Sequence, residues 1–236
     1  MTGVLVTERP ARVLAIYAHP DDPEVACGGT LARWAADGSE VRLVVVNAGD
    51  KGSADASADP AALTSQRAGE VAAAAKVLDL EGVDMLGVPD GEVTNDAALR
   101  GRLVGLLRQH RPDAVIAPDP TAVFFGDSYF NHRDHRELGW AVLDAVAPAA
   151  ASPLYFPDEG APHQVPLVLL SGTLAPDAWV DVSAAIEQKI AAVACHASRV
   201  GDEPELVAEL LRARTTEAGA QIGVAHAEGY RRLRLA

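Results

Sequence analysis

The chain has 236 residues, of which 49% are hydrophobic and 22% charged, a balance typical of folded globular proteins and not of disordered ones. Its 20 basic and 33 acidic residues give a net charge of −13, which argues against nucleic acid or anionic lipid as a partner, because both require a basic surface. With only two cysteines, Cys27 and Cys195, the chain can form neither a disulfide framework nor a cysteine-based zinc site.

The N-terminal segment, MTGVLVTERPARV, lacks the basic start and the continuous apolar run of a secretory signal peptide. No apolar run approaches the roughly 18 residues that a membrane-spanning helix needs. The sequence therefore predicts a cytoplasmic protein without a membrane span, whose partner is a small-molecule substrate. Whether it forms a homo-oligomer is left open.

Short β-branched runs alternate with longer helical stretches along the first two thirds of the chain. The predicted elements are a strand at 12–18, a helix at 24–37, a strand at 40–46, a helix at 60–80, a strand at 83–88, a helix at 96–110, a strand at 114–117 and a helix at 132–147. This alternation predicts an α/β fold with a doubly wound, mostly parallel sheet and helices on both faces.

The pattern is less regular after Pro148. Strands are predicted at 154–156, 165–170 and 179–182, followed by a helix from an N-cap at Ser183 through Ala197 and a last helix at 202–220. Neither a repeat nor a linker is evident, so we expect a single domain over 1–236. Its C-terminal third, about 150–236, should extend the sheet and cover one side of it.

Polar residues follow the first predicted strand, where open α/β sheets bind their ligands. They read HPDDPE at 19–24 and are followed by Gly28-Gly29-Thr30. A dinucleotide site would need G-x-G-x-x-G at this point and a P-loop would need G-x-x-x-x-G-K-[ST]. Neither is present, and carboxylates would repel a phosphate, so the strand end is suited to a cation.

A second cluster, NHRDH at 131–135, follows the predicted strand at 114–117 and its long loop. His132 and His135 are three residues apart, as are His19 and Asp22, so each pair can share one side of a helix start. Two imidazoles and one carboxylate are enough for a catalytic zinc that keeps a fourth position for water. The alternative is that the acidic and amide groups only cap helices and the histidines lie on the surface. Two such clusters, each after a strand, favour the metal site.

Both clusters resemble the motifs of the PIG-L/LmbE-like family of zinc-dependent N-deacetylases. HPDDPEVACGGT is similar to the longer-spaced form of the family's first motif, and HRDH at 132–135 to its second motif, usually HPDH. Residues 66–93 are similar to the family's Arg-x-x-Glu helix and following Asp-Gly. Residues 181–198 are similar to its late helix with a lysine and a histidine. The resemblance therefore covers most of the chain.

The resemblance implies a Rossmann-like fold and hydrolysis of an N-acyl amide, usually N-acetyl, on an aminosugar-containing small molecule. It implies Zn²⁺, with Fe²⁺ as an alternative, held by His19, Asp22 and His135. It further implies that Asp21 is the general base, that His132 stabilises the oxyanion and that Asp134 fixes the charge and orientation of His132. Whether Asp21 or His132 protonates the leaving amine stays open.

Three further features have two interpretations each. Arg133 replaces the family's proline, and its side chain either points away from the site or reads an anionic substrate group. Arg67 either contacts the substrate, as its family position implies, or forms a helix-surface ion pair with Glu70. The aromatic residues near His132, among them Tyr129 and Phe130, either stack on the substrate or anchor a long loop.

Cys27 and His196 are residues of types that are often buried, and each also has two interpretations. Cys27 is either a small buried hydrophobe or a thiolate ligand, and His196 is either a core residue or a catalytic one. Besides N-deacetylation, the sequence is compatible with an amidase for a larger thiol- or sugar-conjugate amide, or with a non-catalytic zinc-binding relative. A nucleotide-binding protein is disfavoured because the glycine fingerprint is missing.

Overall fold

An eight-stranded sheet forms the centre of the computed structural model, which describes residues 4–201 and 203–235. Its strands are β1 (Val4–Leu5), β2 (Arg12–Tyr17), β3 (Glu40–Asn47), β4 (Gly82–Val88), β5 (Ala114–Pro118), β8 (Leu167–Ser171), β9 (Ala178–Asp181) and β10 (Ala227–Arg234). They lie in the order β1-β9-β10-β8-β5-β2-β3-β4, and β6 (Phe124–Phe125) pairs separately with β7 (Tyr129–Phe130). The five strands from β8 to β4 are parallel, whereas β10 is antiparallel to both of its neighbours.

Helices connect these strands. They are α1 (Asp22–Ala36), α2 (Pro60–Val77), α3 (Ala97–His110), α4 (Arg133–Asp144), α5 (Ile186–Ala194), α6 (Ala197–Val200) and α7 (Pro204–Ala220). A π-helical stretch, Ala145–Ala150, continues α4. Within the described ranges, none of the helices combines the length and the apolar character that crossing a membrane requires.

Two apolar layers lie on opposite faces of the sheet, because neighbouring residues of a buried strand point to opposite sides. In β2, Val13, Ala15 and Tyr17 belong to a cluster with residues of α1, α2 and α5. Leu14 and Ile16 belong to the other cluster, with residues of α3, α4 and the π-helical stretch. This arrangement confirms the predicted doubly wound α/β fold.

The chain changes direction within the sheet between β2 and β5. From β2 it proceeds to β3 on one side, whereas β5 pairs with the other edge of β2. Such a switch point leaves a crevice at the carboxyl ends of the two strands. The segments that follow β2 and β5, which carry the two polar clusters, therefore meet there.

The C-terminal part of the chain joins the same sheet through β8, β9 and β10, and β10 is an element that the sequence did not predict. Its Glu228 is buried and accepts hydrogen bonds from the backbone N–H groups of Gly29 and Thr30 in α1, at 3.0 and 2.8 Å. Lys189 of α5 donates to Glu228 at 2.5 Å and to the Val25 carbonyl at 2.7 Å. The buried ion pair thus binds the backbone of α1 to the late part of the sheet.

The strand predicted at 154–156 is wrong, because these residues lie in a turn region between the π-helical stretch and β8. Leu154 is 89% exposed, so the apolar run does not enter the core. The loop is organised instead around the buried guanidinium of Arg108. That group donates to the carbonyls of Ala149, Ala150, Ser152, Tyr155, Phe156 and Gly160.

Three predicted helix boundaries also differ. The helix predicted from Ser183 through 197 divides into α5 and α6, and the Ser183 hydroxyl donates to Asp181 instead of capping α5. The helix predicted at 132–147 has regular α-helical structure only to Asp144, since the π-helical stretch that follows contains Pro148 and the backbone of Ala147 before it is not helical. The predicted start at residue 202 lies outside the described residues, and α7 begins at Pro204.

Candidate metal centre

Three side chains from the two polar clusters meet at the crevice. The Nδ1 atom of His19 lies 3.1 Å from Asp22 Oδ2 and 3.1 Å from His135 Nε2. The His135 Nε2 atom lies 3.0 Å from the same Asp22 oxygen. The three atoms therefore form a nearly equilateral triangle, and each of them can act as a metal ligand.

The tautomer of His135 follows from its other ring nitrogen. Its Nδ1 lies 2.9 Å from Asn131 Oδ1, and the Asn131 amide is oriented because its Nδ2 donates to the Ala122 carbonyl at 2.9 Å. An amide oxygen only accepts hydrogen bonds, so His135 Nδ1 carries the proton. The Nε2 lone pair therefore points into the triangle.

Carboxylates fix the ring of His19 in the same way. Its Nε2 lies 3.2 Å from Asp90 Oδ1 and 3.5 Å from Asp134 Oδ2, both of which are acceptors, so the proton belongs on Nε2 and the Nδ1 lone pair faces the triangle. Burial opposes a charged His19, but hydrogen bonds to Asp134, Asp22 and Asp90 outweigh it and raise the pKa of His19 to about 12, so a metal ion that binds at Nδ1 takes the place of a proton there. The surrounding carboxylates thus favour a positive charge at this position.

Two ring nitrogens and a carboxylate oxygen that converge within 3.1 Å repel one another unless a proton or a metal cation lies between them. Ligands about 2.0–2.1 Å from a tetrahedral zinc are separated by about 3.3 Å, close to the distances in the triangle. Each histidine has the oriented outer hydrogen bond that is typical of metal ligands. The donor set and its spacing therefore fit the zinc site that the sequence predicts.

Asp21 stands next to these residues as the N-cap residue of α1. Its φ of 93° lies in a region that residues other than glycine seldom adopt and that is concentrated at functional sites. Burial, followed by the charge of Asp22, raises the pKa of Asp21 to about 6, although Arg199 and His196 lower it. A carboxylate with a raised pKa beside the triangle matches what a general base requires.

His132 is the N-cap residue of α4, and its ring stacks edge-on against His19 at 4.8 Å between centroids. Its Nδ1 accepts a hydrogen bond from the backbone N–H of Asp134 at 3.2 Å. Because Nδ1 is the acceptor, the neutral ring carries its proton on Nε2. Burial and the neighbouring His19 lower the pKa of His132, which favours this neutral form.

The Asp134 carboxylate is fully buried, and its closest partners differ from the predicted one. It accepts hydrogen bonds from Asn47 Nδ2 and the Gly91 backbone N–H, both at 2.7 Å, and lies 4.0 Å from His132 Nδ1. Asp134 therefore orients His19, and it contacts His132 through its backbone N–H. Its influence on the charge of His132 stays a prediction.

A cavity of about 900 Å³ opens beside the triangle, and Asp22 and His135 line it. The β6–β7 hairpin borders it with Phe125 and Tyr129, whose ring centroids are 5.6 Å apart. Phe130 is 66% exposed and, being the next residue after Tyr129 in the strand, points to the opposite side of the hairpin. The structure thus places Tyr129 at the cavity and Phe130 away from it.

The side chain of Arg67 does not line this cavity. It is buried, and its Nη2 donates to the Gly52 carbonyl at 2.9 Å. A Cβ at Gly49 would lie 2.6 Å from the Arg67 side chain, so the loop after β3 packs directly on it. Its alternative partner, Glu70, instead accepts hydrogen bonds from Ser198. Among the described residues, Arg67 does not form the predicted ion pair with Glu70, and its role in substrate binding stays a prediction.

Arg133 points away from the triangle, in agreement with the first of its two interpretations. Its guanidinium donates to the Gly91 carbonyl at 3.1 Å and to the Thr94 hydroxyl at 3.2 Å. It therefore supports the loop after β4, which carries Asp90. The substituted position in the second motif thus acts on the site through this loop.

Cys27 and His196 are both completely buried. Cys27 belongs to the apolar cluster beneath α1, and burial raises the pKa of its thiol, which makes it a small hydrophobe and not a thiolate ligand. His196 Nε2 lies 3.2 Å from Glu24 Oε2, so it is paired in the interior behind Asp21.

Sequence reasoning missed three residues that support the ligands. Asn131 and Asp90 fix the rings of His135 and His19, and Asn47 donates to Asp134. Asn47 is the last residue of β3, Asp90 follows β4, and Asn131 ends the loop after β5. Polar residues at the carboxyl ends of all these strands, and not only the two histidine motifs, therefore indicate the site in the sequence.

Comparisons with known proteins identify relatives of the chain. Residues 14–146 match the family model PIG-L, described as GlcNAc-PI de-N-acetylase. The chain is 30% identical to the diacetylchitobiose deacetylase of Thermococcus kodakarensis over 93% of this chain and 82% of that protein. It is also 34% identical to a 1D-myo-inositol 2-acetamido-2-deoxy-alpha-D-glucopyranoside deacetylase of Saccharopolyspora erythraea, over 66% of this chain and 63% of that protein.

A solved structure shows the same similarity in three dimensions. The N,N'-diacetylchitobiose deacetylase of Pyrococcus horikoshii superposes with a TM-score of 0.87 at 28% sequence identity. The match covers 95% of this chain and 84% of that one. It therefore extends beyond the two motifs to the late strands and helices.

Proposed function

Because this chain belongs to the PIG-L family, we propose that it hydrolyses an N-acetyl amide on an aminosugar-containing small molecule. The observation that carries the proposal is the triangle of His19, Asp22 and His135, whose donor atoms converge with their tautomers already fixed. Asp21 and His132 beside it supply the two further groups that amide hydrolysis needs.

The three residues of the triangle would hold Zn²⁺ at their lone pairs. Zinc in such a site supplies Lewis acidity and brings the pKa of a coordinated water close to 7. Ferrous iron accepts the same combination of imidazole and carboxylate ligands, so the donor set alone does not select between the two metals.

Asp21 serves as the general base that takes a proton from the attacking water. Its position at the start of α1 brings its carboxylate next to Asp22, and its pKa of about 6 leaves it ionised at neutral pH. His132 serves as the hydrogen-bond donor to the oxyanion through Nε2–H, because its Nδ1 is occupied by the backbone N–H of Asp134.

The same hydrogen bond favours Asp21 over His132 as the source of the proton for the leaving amine. An imidazolium would place a proton on Nδ1, where the Asp134 N–H already points, so His132 is not set up to deliver one. Asp21, having received the proton of the water, is the group that can pass it to the amine. We therefore favour Asp21 among the two donors that the sequence leaves open.

The cavity and the relatives together indicate the size of the substrate. The similar proteins are named as deacetylases of diacetylchitobiose and of an acetamidoglucopyranoside of inositol, both of which contain two rings. A volume of about 900 Å³ can accept a molecule of that size. Aromatic side chains at its border, Phe125 and Tyr129, are suited to pack against a sugar ring.

The test is release of free amine from a panel of N-acetylglucosamine conjugates, diacetylchitobiose among them, by the zinc-loaded protein. The Asp21→Asn variant is the control, since it should retain zinc and lose activity by about 10²–10⁴-fold. Amine release that disappears in the variant supports deacetylation with Asp21 as the base. A fully active variant would remove Asp21 from that role.

The panel also separates the competing functions. Cleavage of larger thiol- or sugar-conjugate amides without release of acetate would favour an amidase. Zinc binding without turnover of either group of compounds would favour a non-catalytic relative and would contradict the proposal.

A further inference from the structure

A short segment around α6, residues 196–200, crosses the start of α1 beside Asp21. The helix has only four residues, too few to be stable on its own. Two buried carboxylates hold the segment in place. Glu70 of α2 accepts hydrogen bonds from the backbone N–H and the hydroxyl of Ser198, at 2.9 and 2.6 Å.

The second anchor is Glu24 of α1, which is completely buried. The Nε2 atom of His196 lies 3.2 Å from its Oε2. Ser198, which directly precedes Arg199, is thus hydrogen-bonded to α2, and His196, three residues before Arg199, lies against Glu24 of α1. Neither anchor is a ligand of the proposed metal.

The group that this α6 segment presents is the guanidinium of Arg199. Its Nε donates to Asp21 Oδ2 at 3.3 Å, although the two residues are 178 positions apart in the chain. Within 4–201 and 203–235, Arg199 is the side chain that donates a hydrogen bond to the Asp21 carboxylate. The Arg199 side chain is 52% exposed and that of Asp21 is 21% exposed, so the pair lies at the edge of the site.

We infer that Arg199 is a positioning residue, which holds the Asp21 carboxylate in the orientation needed for proton transfer and is itself placed by the Ser198–Glu70 and His196–Glu24 contacts. The inference rests on the proposed function, because it acts through the base assigned there. The Asp21 side chain makes no capping hydrogen bond to the start of α1, so the hydrogen bond from Arg199 sets the direction of its carboxylate.

The same guanidinium could instead bind an anionic group of the substrate, and kinetics distinguish the two roles. Loss of a positioning contact lowers kcat, whereas loss of a substrate contact raises KM. We expect Arg199→Ala to lower kcat about 10–100-fold on the substrate found with the panel, with KM and zinc content unchanged. Arg199→Lys should recover part of the loss, because an ammonium group still carries the charge.

Two further variants test the route by which the segment acts. Ser198→Ala should lower kcat in the same direction as Arg199→Ala but less strongly, since it loosens the segment and leaves the guanidinium. Arg102→Ala is the matched control, because Arg102 is an exposed arginine of α3 whose contact is the Leu86 carbonyl. It should leave kcat and KM unchanged.

The outcomes separate this inference from the proposed function. If the wild-type protein releases no amine from any compound, the proposed function fails and this inference fails with it. If the wild type is active and Arg199→Ala retains full kcat, or changes KM alone, only the positioning role is overturned.

Discussion

The chain from β2 through α4, termed the parallel part, and the chain from β8 through β10, termed the late part, contribute to the site in different ways. The parallel part supplies all three residues of the triangle, together with Asp21 and His132. The late part supplies no residue of the triangle, but its Glu228 and Lys189 bind the backbone of α1. Chemistry and support therefore come from separate regions that meet on one helix.

The two kinds of contribution also differ in how their residues are distributed along the sequence. The residues that act at the metal are grouped in two short motifs, each at a strand end. The residues that support α1 are single residues far apart in the sequence. Glu228 is 199 positions from Gly29, whose backbone N–H donates a hydrogen bond to it. Variants of the first region should therefore change metal binding, and variants of the second should change stability.

The largest expected effect is on metal binding in the parallel part. His19→Ala or Asp22→Ala removes one of three ligands, so zinc affinity should fall by more than about 100-fold, beyond what the loss of an outer contact causes. Metal analysis after dialysis and a competition titration with a chelator measure it. Asp158→Ala, which removes an exposed carboxylate, is the control. Unchanged zinc content in both variants would refute the ligand assignment.

A large effect on stability is expected in the late part. Lys189→Met leaves the buried Glu228 carboxylate without its cation, which should lower the free energy of unfolding by about 3–5 kcal/mol. Chemical denaturation of the metal-free protein measures this change, and Lys76→Met, at an exposed position of α2, is the control. Because no ligand is removed, the folded variant should still bind zinc. A stability equal to that of the wild type would contradict the claim that the late part stabilises the protein through this ion pair.

A smaller effect on zinc affinity is expected at Asn131, which orients His135 without touching the metal. Asn131→Ala should weaken zinc binding about 10–100-fold, because the Nδ1–H of His135 loses its acceptor. Asn131→Asp keeps an acceptor for the Nδ1–H of His135 but loses the donor to the Ala122 carbonyl, so it should recover part of the affinity and not all of it. Equal losses in the two variants would show that Asn131 acts through the loop and not through His135.

The smallest effects concern two glycines in different helices. A Cβ at Gly29 of α1 would lie 2.8 Å from Val182 Cβ, so Gly29→Ala should destabilise the protein by about 1–3 kcal/mol. A Cβ at Gly69 of α2 meets nothing within 4 Å, so Gly69→Ala should stabilise it by about 0.5–1 kcal/mol. Thermal unfolding compares the pair. A stabilising Gly29→Ala would contradict the close contact between α1 and the late part of the chain.

Much of the parallel part could be predicted from the sequence because its signals are local. The strands at β2, β3 and β5 are continuous apolar runs, and the helices between them begin and end at turn-forming residues. The ligand motifs are equally local, since His19 and Asp22 are three residues apart. The fold and the place of the metal site therefore follow from short stretches of chain, whereas His135 was named as a ligand instead of His132 only through the resemblance to the family.

The late part was less predictable because its pattern depends on distant partners. The β10 sequence AEGYRRLR contains a glutamate that a strand would ordinarily expose, and it is buried only because Lys189 and the α1 backbone satisfy it. The apolar run at 154–156 gave the opposite error, because it resembles a strand but lies at the surface. In the site, Asp90 and Arg199 were missed for the same reason, since each acts on a residue far away in the chain.

The loop around Arg108 has a consequence for how the chain can vary. The loop contributes four carbonyl oxygens to that guanidinium and the π-helical stretch before it two, and Leu154 of the loop faces solvent. Since every amino acid has a carbonyl group, exposed loop positions such as Leu154 can vary without loss of these contacts. Position 108 has no such freedom, because lysine offers three donors from a single point and no other side chain offers the five of arginine. In this part of the protein we therefore expect substitutions to be tolerated at exposed positions of the loop and not at Arg108 of α3.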